Sequence, residues 1–285
     1  MGNYTKQHYV PACYLANFGI DGNKGRKSRI YFYNIKNNIY NISTVNALPV
    51  ENNFYDIDNC ENKKAIENFF DELEGMLAEI LRQLFAKIVI DVNKRFNNHI
   101  VLSNEERQNL SFQIAMMIIR TRRFRDFYKD MYNQIKKGLP FANIPEYSEK
   151  DFQRLHTNEI IDYDMANFYS NLLDDRKCVV LINHTDIPFI TSDNPVILID
   201  HRKNKDRFPI AEVSNQATRF FPLSPKIALQ FFSKNIIKSD MRYFDIYNKD
   251  VIAFYDNEIA ENISRFLFSN VDIKKLGYRK KEDIL

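Results

Sequence analysis

Hydrophobic side chains between residues 62 and 90 recur at three- and four-residue steps: Ile66, Phe69, Phe70, Leu73, Leu77, Ile80, Leu81 and Leu84. That spacing predicts one long amphipathic helix. A second helix begins at Ser103, where Ser103 and Glu106 have the spacing of a capping box. It runs through Leu110, Ile114, Met117 and Ile118, past Phe127 to Lys137, and Gly138 and Pro140 end it. A third helical stretch runs from Glu149 or Thr157 to Asp174. The pattern then changes to short apolar runs. Residues 178–182, 189–191, 196–199 and 227–232 each predict a strand. Upstream, Ile30, Phe32, Ile39 and Tyr40 flank Lys36-Asn37-Asn38, which predicts a hairpin. Residues 247–269 return to helical spacing, and the charged residues 273–285 read as loose. The sum is an α+β fold, with a helical middle of two or three long helices packed on a mixed or mostly antiparallel sheet. Residues 1–285 fit one domain; a helical subdomain over residues 60–176 stays open as a division of it.

The N-terminal segment departs from this regular pattern. In Gln7-His8-Tyr9-Val10-Pro11, followed by Tyr14, Leu15 and Phe18, a histidine stands among large apolar side chains. Such a ring is paired, neutral or catalytic, because an unpaired charge there is costly. The segment resembles the start of a bacterial family known only as domain of unknown function 4238. The resemblance extends to Asn53-Phe54-Tyr55, to Ile66-Glu67 with Leu73-Glu74-Gly75, and to Gln113 with Arg120-Thr121. It continues through Phe189-Ile190-Thr191-Ser192-Asp193-Asn194-Pro195 and Phe221-Pro222-Leu223-Ser224-Pro225. It implies no activity, but it marks which polar positions stand out.

Composition narrows the classes. Seven glycines in 285 residues argue against glycine-rich phosphate loops, and a net charge of +3 lacks the strong basic bias of a nucleic-acid binder. Cys13, Cys60 and Cys178 form no CxxC pair, which points to a reducing cytoplasm. There is no signal pattern, and the longest apolar run, residues 114–119, is too short to span a bilayer. A soluble cytoplasmic protein without a membrane partner is expected; its oligomeric state is open.

Candidate chemistry comes from remote positions. Glu67 and Glu74 are two helical turns apart beside the apolar stripe, as are Gln113 and Arg120 on the second helix. Antiparallel packing would bring Arg120 to a glutamate, as a structural ion pair or as a polar pocket. Asp193, in a polar knot between two apolar strands, could bind a metal, accept a proton or orient His8; Ser192 could donate a hydrogen bond. Turn chemistry explains both equally well. Arg120, Arg122, Arg123 and Arg125 spread around a helix and cannot all face one partner. Asp56 and Asp58 form a short acidic pair, and His99, His156, His184 and His201 fall in loop or helix-surface contexts.

The expectation is an enzyme with His8, Glu74, Arg120 and Asp193 as catalytic residues and Gln113, Ser192 and Tyr55 as substrate-binding residues. Glu67, Glu74 and Asp193 would hold a divalent cation, Mg or Mn. These groups suit phosphate-ester hydrolysis, nuclease-like or nucleotide-directed, with a nucleic acid or nucleotide as partner and a defence or toxin-type effector as its sharpest form. The alternative is a non-catalytic binding or interaction module in which the same residues form a structural clasp.

Overall fold

The computed structural model describes residues 6–55, 63–202 and 213–276, apart from the side chains of Lys6 and residues 63–67. In chain order, β1 (Lys6–His8) leads into α1 (Ala12–Leu15), then β2 (Arg29–Asn34), β3 (Ile39–Thr44) and β4 (Val50–Asn52). The helical middle is α2 (Lys63–Lys87), α3 (Asn104–Ile119), α4 (Arg122–Gly138), α5 (Glu149–Ile161) and α6 (Asp164–Asp174). The remainder is β5 (Arg176–Asn183), β6 (Thr191–Ser192), β7 (Ile197–Asp200), β8 (Ala217–Ser224), β9 (Ile227–Ser233), β10 (Arg242–Ile246), α7 (Lys249–Glu261) and β11 (Phe266–Ser269). The expected α+β class holds.

Three sheets organise these elements. The largest runs β10-β5-β9-β8-β7, antiparallel except for the parallel β10–β5 pair. A second runs β3-β2-β11-β6, antiparallel throughout, and β1 pairs with β4. Both faces of the five-stranded sheet are buried. Along β5, Cys178, Val180 and Ile182 join a core shared with the helices, while Val179 and Leu181 join a second core. That second core contains Ile252, Tyr255 and Ile259 of α7 and Tyr33 and Leu267 of the second sheet. Successive strand side chains point to opposite faces, so a strand covered on both reads as a continuous apolar run.

Several boundaries differ from the sequence expectation, each for a local reason. The second helix breaks at Arg120-Thr121. Thr121 has extended backbone, and its Oγ1 accepts from Phe124 N (3.2 Å) as the N-cap of α4. The third stretch is two helices, α5 and α6, parted by Tyr163 in the left-handed region at φ 59°. Residues 266–269, expected to be helical, form β11: Asn262 ends α7, and the chain then pairs with β2 and β6. Apolar periodicity passes through all three points unbroken, so it cannot mark them. The Ser103–Glu106 capping box is present, and the β2–β3 hairpin turns with Asn38 at φ 51°. The expected 227–232 strand is β9. Most of residues 273–285 lie outside the described residues.

One buried phenol ties remote segments together. Tyr14 OH donates to Pro222 O (2.6 Å) and so accepts from Thr191 Oγ1 (2.7 Å), while its ring stacks on Phe221 at 5.2 Å. Thus α1, β6 and β8 meet at one hydroxyl shielded from water. Replacing Tyr14 by Phe strands buried partners and is expected to cost about 1–3 kcal/mol. Urea unfolding measures this; an unchanged midpoint would show that the bridge contributes nothing.

Candidate functional site

The β1 segment is fixed from two directions. Gln7 Oε1 accepts from Tyr55 N (2.7 Å), and Arg120 Nη2 donates to His8 O (2.8 Å). Arg120 lies at the C-terminus of α3, where α3 stops and α4 begins, so its side chain leaves the helix pair towards β1. Its Nη2 also donates to Glu74 Oε1 (3.2 Å), and its guanidinium lies 5.0 Å from the Phe70 ring centroid. Tyr55 OH donates to Arg120 O (2.7 Å), and the Tyr55 ring stacks on Phe70 at 4.3 Å. The helix packing thus joins Arg120 to a glutamate of α2. Glu74 Oε2 faces Arg26 Nη2 at 3.9 Å, so the carboxylate sits between a buried and an exposed guanidinium.

His8 adjoins this pair. Its Nε2 lies 3.1 Å from Asn46 O; a carbonyl can only accept, so Nε2 carries the proton. Burial lowers the His8 pKa most strongly. The Glu74 charge and the Asn46 bond oppose that, whereas Arg120 and Arg26 lower it further. The net direction is down, and the ring is neutral at pH 7. Nδ1 then bears the lone pair. Cys13, whose Sγ donates to Glu74 O (3.6 Å), stays a thiol: burial, then Glu74, pushes it up to about 12.

Asp193 is placed differently. It is fully buried, and its Oδ1 accepts from Ser264 N (3.0 Å). Its own N–H donates to Phe266 O (3.0 Å), so it orders the entry to β11. Burial raises its pKa to about 7 against several backbone N–H groups that lower it. Among the described residues no hydrogen bond or ion pair links it to His8, Glu74 or Arg120. Ser192 Oγ turns back to its own loop, donating to Asn194 O (2.9 Å) and accepting from Asn194 N (3.1 Å). Gln113 is buried on α3 with Nε2 unpartnered. Glu67 lies on α2, but its side chain, like Asp56, Asp58 and Cys60, lies outside the described residues. No three His, Cys, Asp or Glu side chains gather as a metal would require among the described residues.

Sequence reasoning missed some groups. His156, expected on a surface, is buried: Arg125 Nε donates to its Nδ1 (3.3 Å), and its Nε2–H donates to Ile119 O (2.7 Å). Burial, then Arg125, pushes it down to about 3, so it is a neutral structural ring. Periodicity was a weak signal for it, since Phe152, four residues earlier, is also buried. Arg26 gave none: it stands in a polar loop and reaches Glu74 only through the fold. The arginine cluster divides, with Arg122 on Glu51, Arg125 on Phe54 and His156, and Arg120 on Glu74.

These features define an α+β protein whose N-terminal strand, carrying His8, is held against a glutamate of α2 and a buried arginine at the end of α3. The chain belongs to the family described as protein of unknown function (DUF4238), whose model matches residues 6–272. No curated protein and no solved structure matches it. No helix among the described residues is long and apolar enough to cross a membrane.

The Asp193 environment predicts a pH effect on stability. Its folded pKa, about 7, exceeds its ordinary 3.8, so the folded state holds the proton longer. From about 4 to about 7 the native state binds more protons than the unfolded one, and stability falls as pH rises. Asp193→Asn removes this contribution. Its stability relative to the wild type is expected to increase across that window, as read by urea unfolding at pH 4 to 8; a flat difference overturns the assignment.

Proposed function

We propose that His8, Glu74, Arg120 and Arg26 form an acid–base site for an anionic ester, with phosphate-ester hydrolysis as its reaction. The observation that carries this is a half-buried neutral histidine beside one carboxylate and two guanidiniums. In this reading His8 Nδ1 takes a proton from the attacking water. The water oxygen bonds to phosphorus, and the ester P–O bond breaks with its electron pair on the leaving oxygen. The arginines hold the developing charge, and Glu74 orients Arg120. Both Glu74 oxygens face guanidiniums, so a divalent cation, Mg or Mn, would need Glu67 or a rearranged Glu74 as well. Tyr55 acts here as a positioning residue through Arg120 O, and Gln113 and Ser192 remain substrate contacts to be tested. A nuclease-like or nucleotide-directed effector in the bacterial cytoplasm is the finer form of this proposal.

A second reading has its own observation. Arg120 Nη2 holds a backbone carbonyl of β1, and Tyr55 OH holds the carbonyl of Arg120. These bonds close tertiary structure, as a clasp in a non-catalytic binding module would. The two readings separate on His8→Gln, whose amide can still donate to Asn46 O. Catalysis predicts a fold-preserving loss of about 10²–10⁴ in hydrolysis of bis-p-nitrophenyl phosphate, assayed with Mg, with Mn and with chelator. Equal rates in wild type and variant, or none above background in any condition, would leave the clasp.

A further inference from the structure

α4 turns only part of its surface to the rest of the chain. On one side the Tyr132 ring packs on Tyr147 and Phe152 at 5.3 and 5.6 Å, and Tyr132 OH donates to Pro145 O (2.8 Å). On another, Phe127, Met131 and Ile135 stand at four-residue steps and are 54%, 41% and 46% exposed. Each step turns the helix by about 40°, so the three share one narrow face. Leu139, also exposed, continues the row at the end of the helix. A contiguous row of large exposed apolar side chains marks an interaction surface.

The charges beside the row favour one occupant. Arg123, Asp130 and Lys137 follow one flank at seven-residue steps with alternating sign. Arg122, Lys129 and Lys136 are already paired, with Glu51, Glu149 and Glu146. That leaves α4 little surplus positive charge for an anionic membrane surface. Asp130 and Lys137 are exposed and make no ion pair among the described residues. About 10 Å of helix separates them, so they cannot meet within one chain. When two copies of a helix pack antiparallel, the same flank of each faces the other, and here that flank is complementary to itself.

We propose that the chain forms a two-fold dimer in which α4 packs antiparallel on α4 of a second copy, with the axis between Asn133 and Gln134. In this register Met131 packs beside Ile135 of the second copy and Phe127 beside its Leu139. Asp130 lies opposite Lys137 of the second copy, twice over by symmetry. An axis at Asp130 sets that carboxylate against itself and Arg123 against Lys137, which repels. An axis that pairs Asp130 with Arg123 centres the contact on Asp126 and Phe127, beside Phe124 and Arg125, which are buried in the body of the protein. The surface shares no residue with the proposed hydrolytic site.

Sedimentation equilibrium of the full chain over a hundredfold concentration range is expected to reach twice the chain mass. Met131→Glu should weaken association at least tenfold. Asp130→Lys and Lys137→Asp should each weaken it about tenfold, because like charges then face each other. The two together should restore the wild-type strength. All three positions are exposed, so circular dichroism should read the same helix content throughout. A wild-type chain that stays monomeric overturns the proposal, whether or not it binds anionic vesicles. So does a Met131→Glu variant that associates like the wild type, or a double variant as weak as the single ones.

Discussion

The Tyr14 hydroxyl constrains the whole molecule, because it is one buried group that must find both an acceptor and a donor. It finds them in Pro222 of β8 and Thr191 of β6, more than a hundred residues away. Within a low-dielectric core an unmet hydroxyl is costly, so this contact fixes α1 against two sheets at once. With α1 placed, the preceding strand has little freedom. Gln7 meets Tyr55, the His8 carbonyl meets Arg120, and Tyr9 stacks on Phe54 at 5.0 Å.

From this arrangement two polar environments follow on either side of one short segment. At His8, a carboxylate is held between two guanidiniums, and a partly shielded imidazole stays neutral beside them. At Tyr9, a carboxyl group is so well buried that its protonated form extends to neutral pH. The difference lies in burial and in partners. Glu74 keeps contact with solvent and with cations, while the nearest donors to Asp193 are backbone N–H groups. The same residue class thus serves as an ion-pair centre in one place and as a buried carboxyl near its titration point in another.

Energetically the two sides also differ. Arg120 is buried with three ties: a carbonyl, a carboxylate and an aromatic face. A buried guanidinium with such partners resists removal more than it adds net stability, since its desolvation offsets much of its attraction. Arg125 shows the same pattern on Phe54 and His156. Arg265 stacks on the Phe266 ring, and its Nε, like that of Arg120, has no hydrogen-bond partner among the described residues.

The sequence alone determined much of the local structure. Apolar stepping marked α2 and the start of α3, the capping box located Ser103, and continuous apolar runs marked β5, β7 and β9, because short-range spacing reports directly which side chains face a core. A pairing of Arg120 with one of the two α2 glutamates was legible too, from their shared two-turn spacing beside the apolar stripes; that the partner is Glu74 was decided by the fold. The strands β1, β4, β8 and β10, the break at Thr121 and the burial of His156 were not, since each depends on partners distant in sequence. Only the tertiary structure decided that Asp193 accepts from the backbone of Ser264 and, among the described residues, makes no hydrogen bond or ion pair with Glu74 or Arg120. Sequence spacing carries the period of a helix or strand, but the direction in which a buried polar group finds its partner is set by long-range packing.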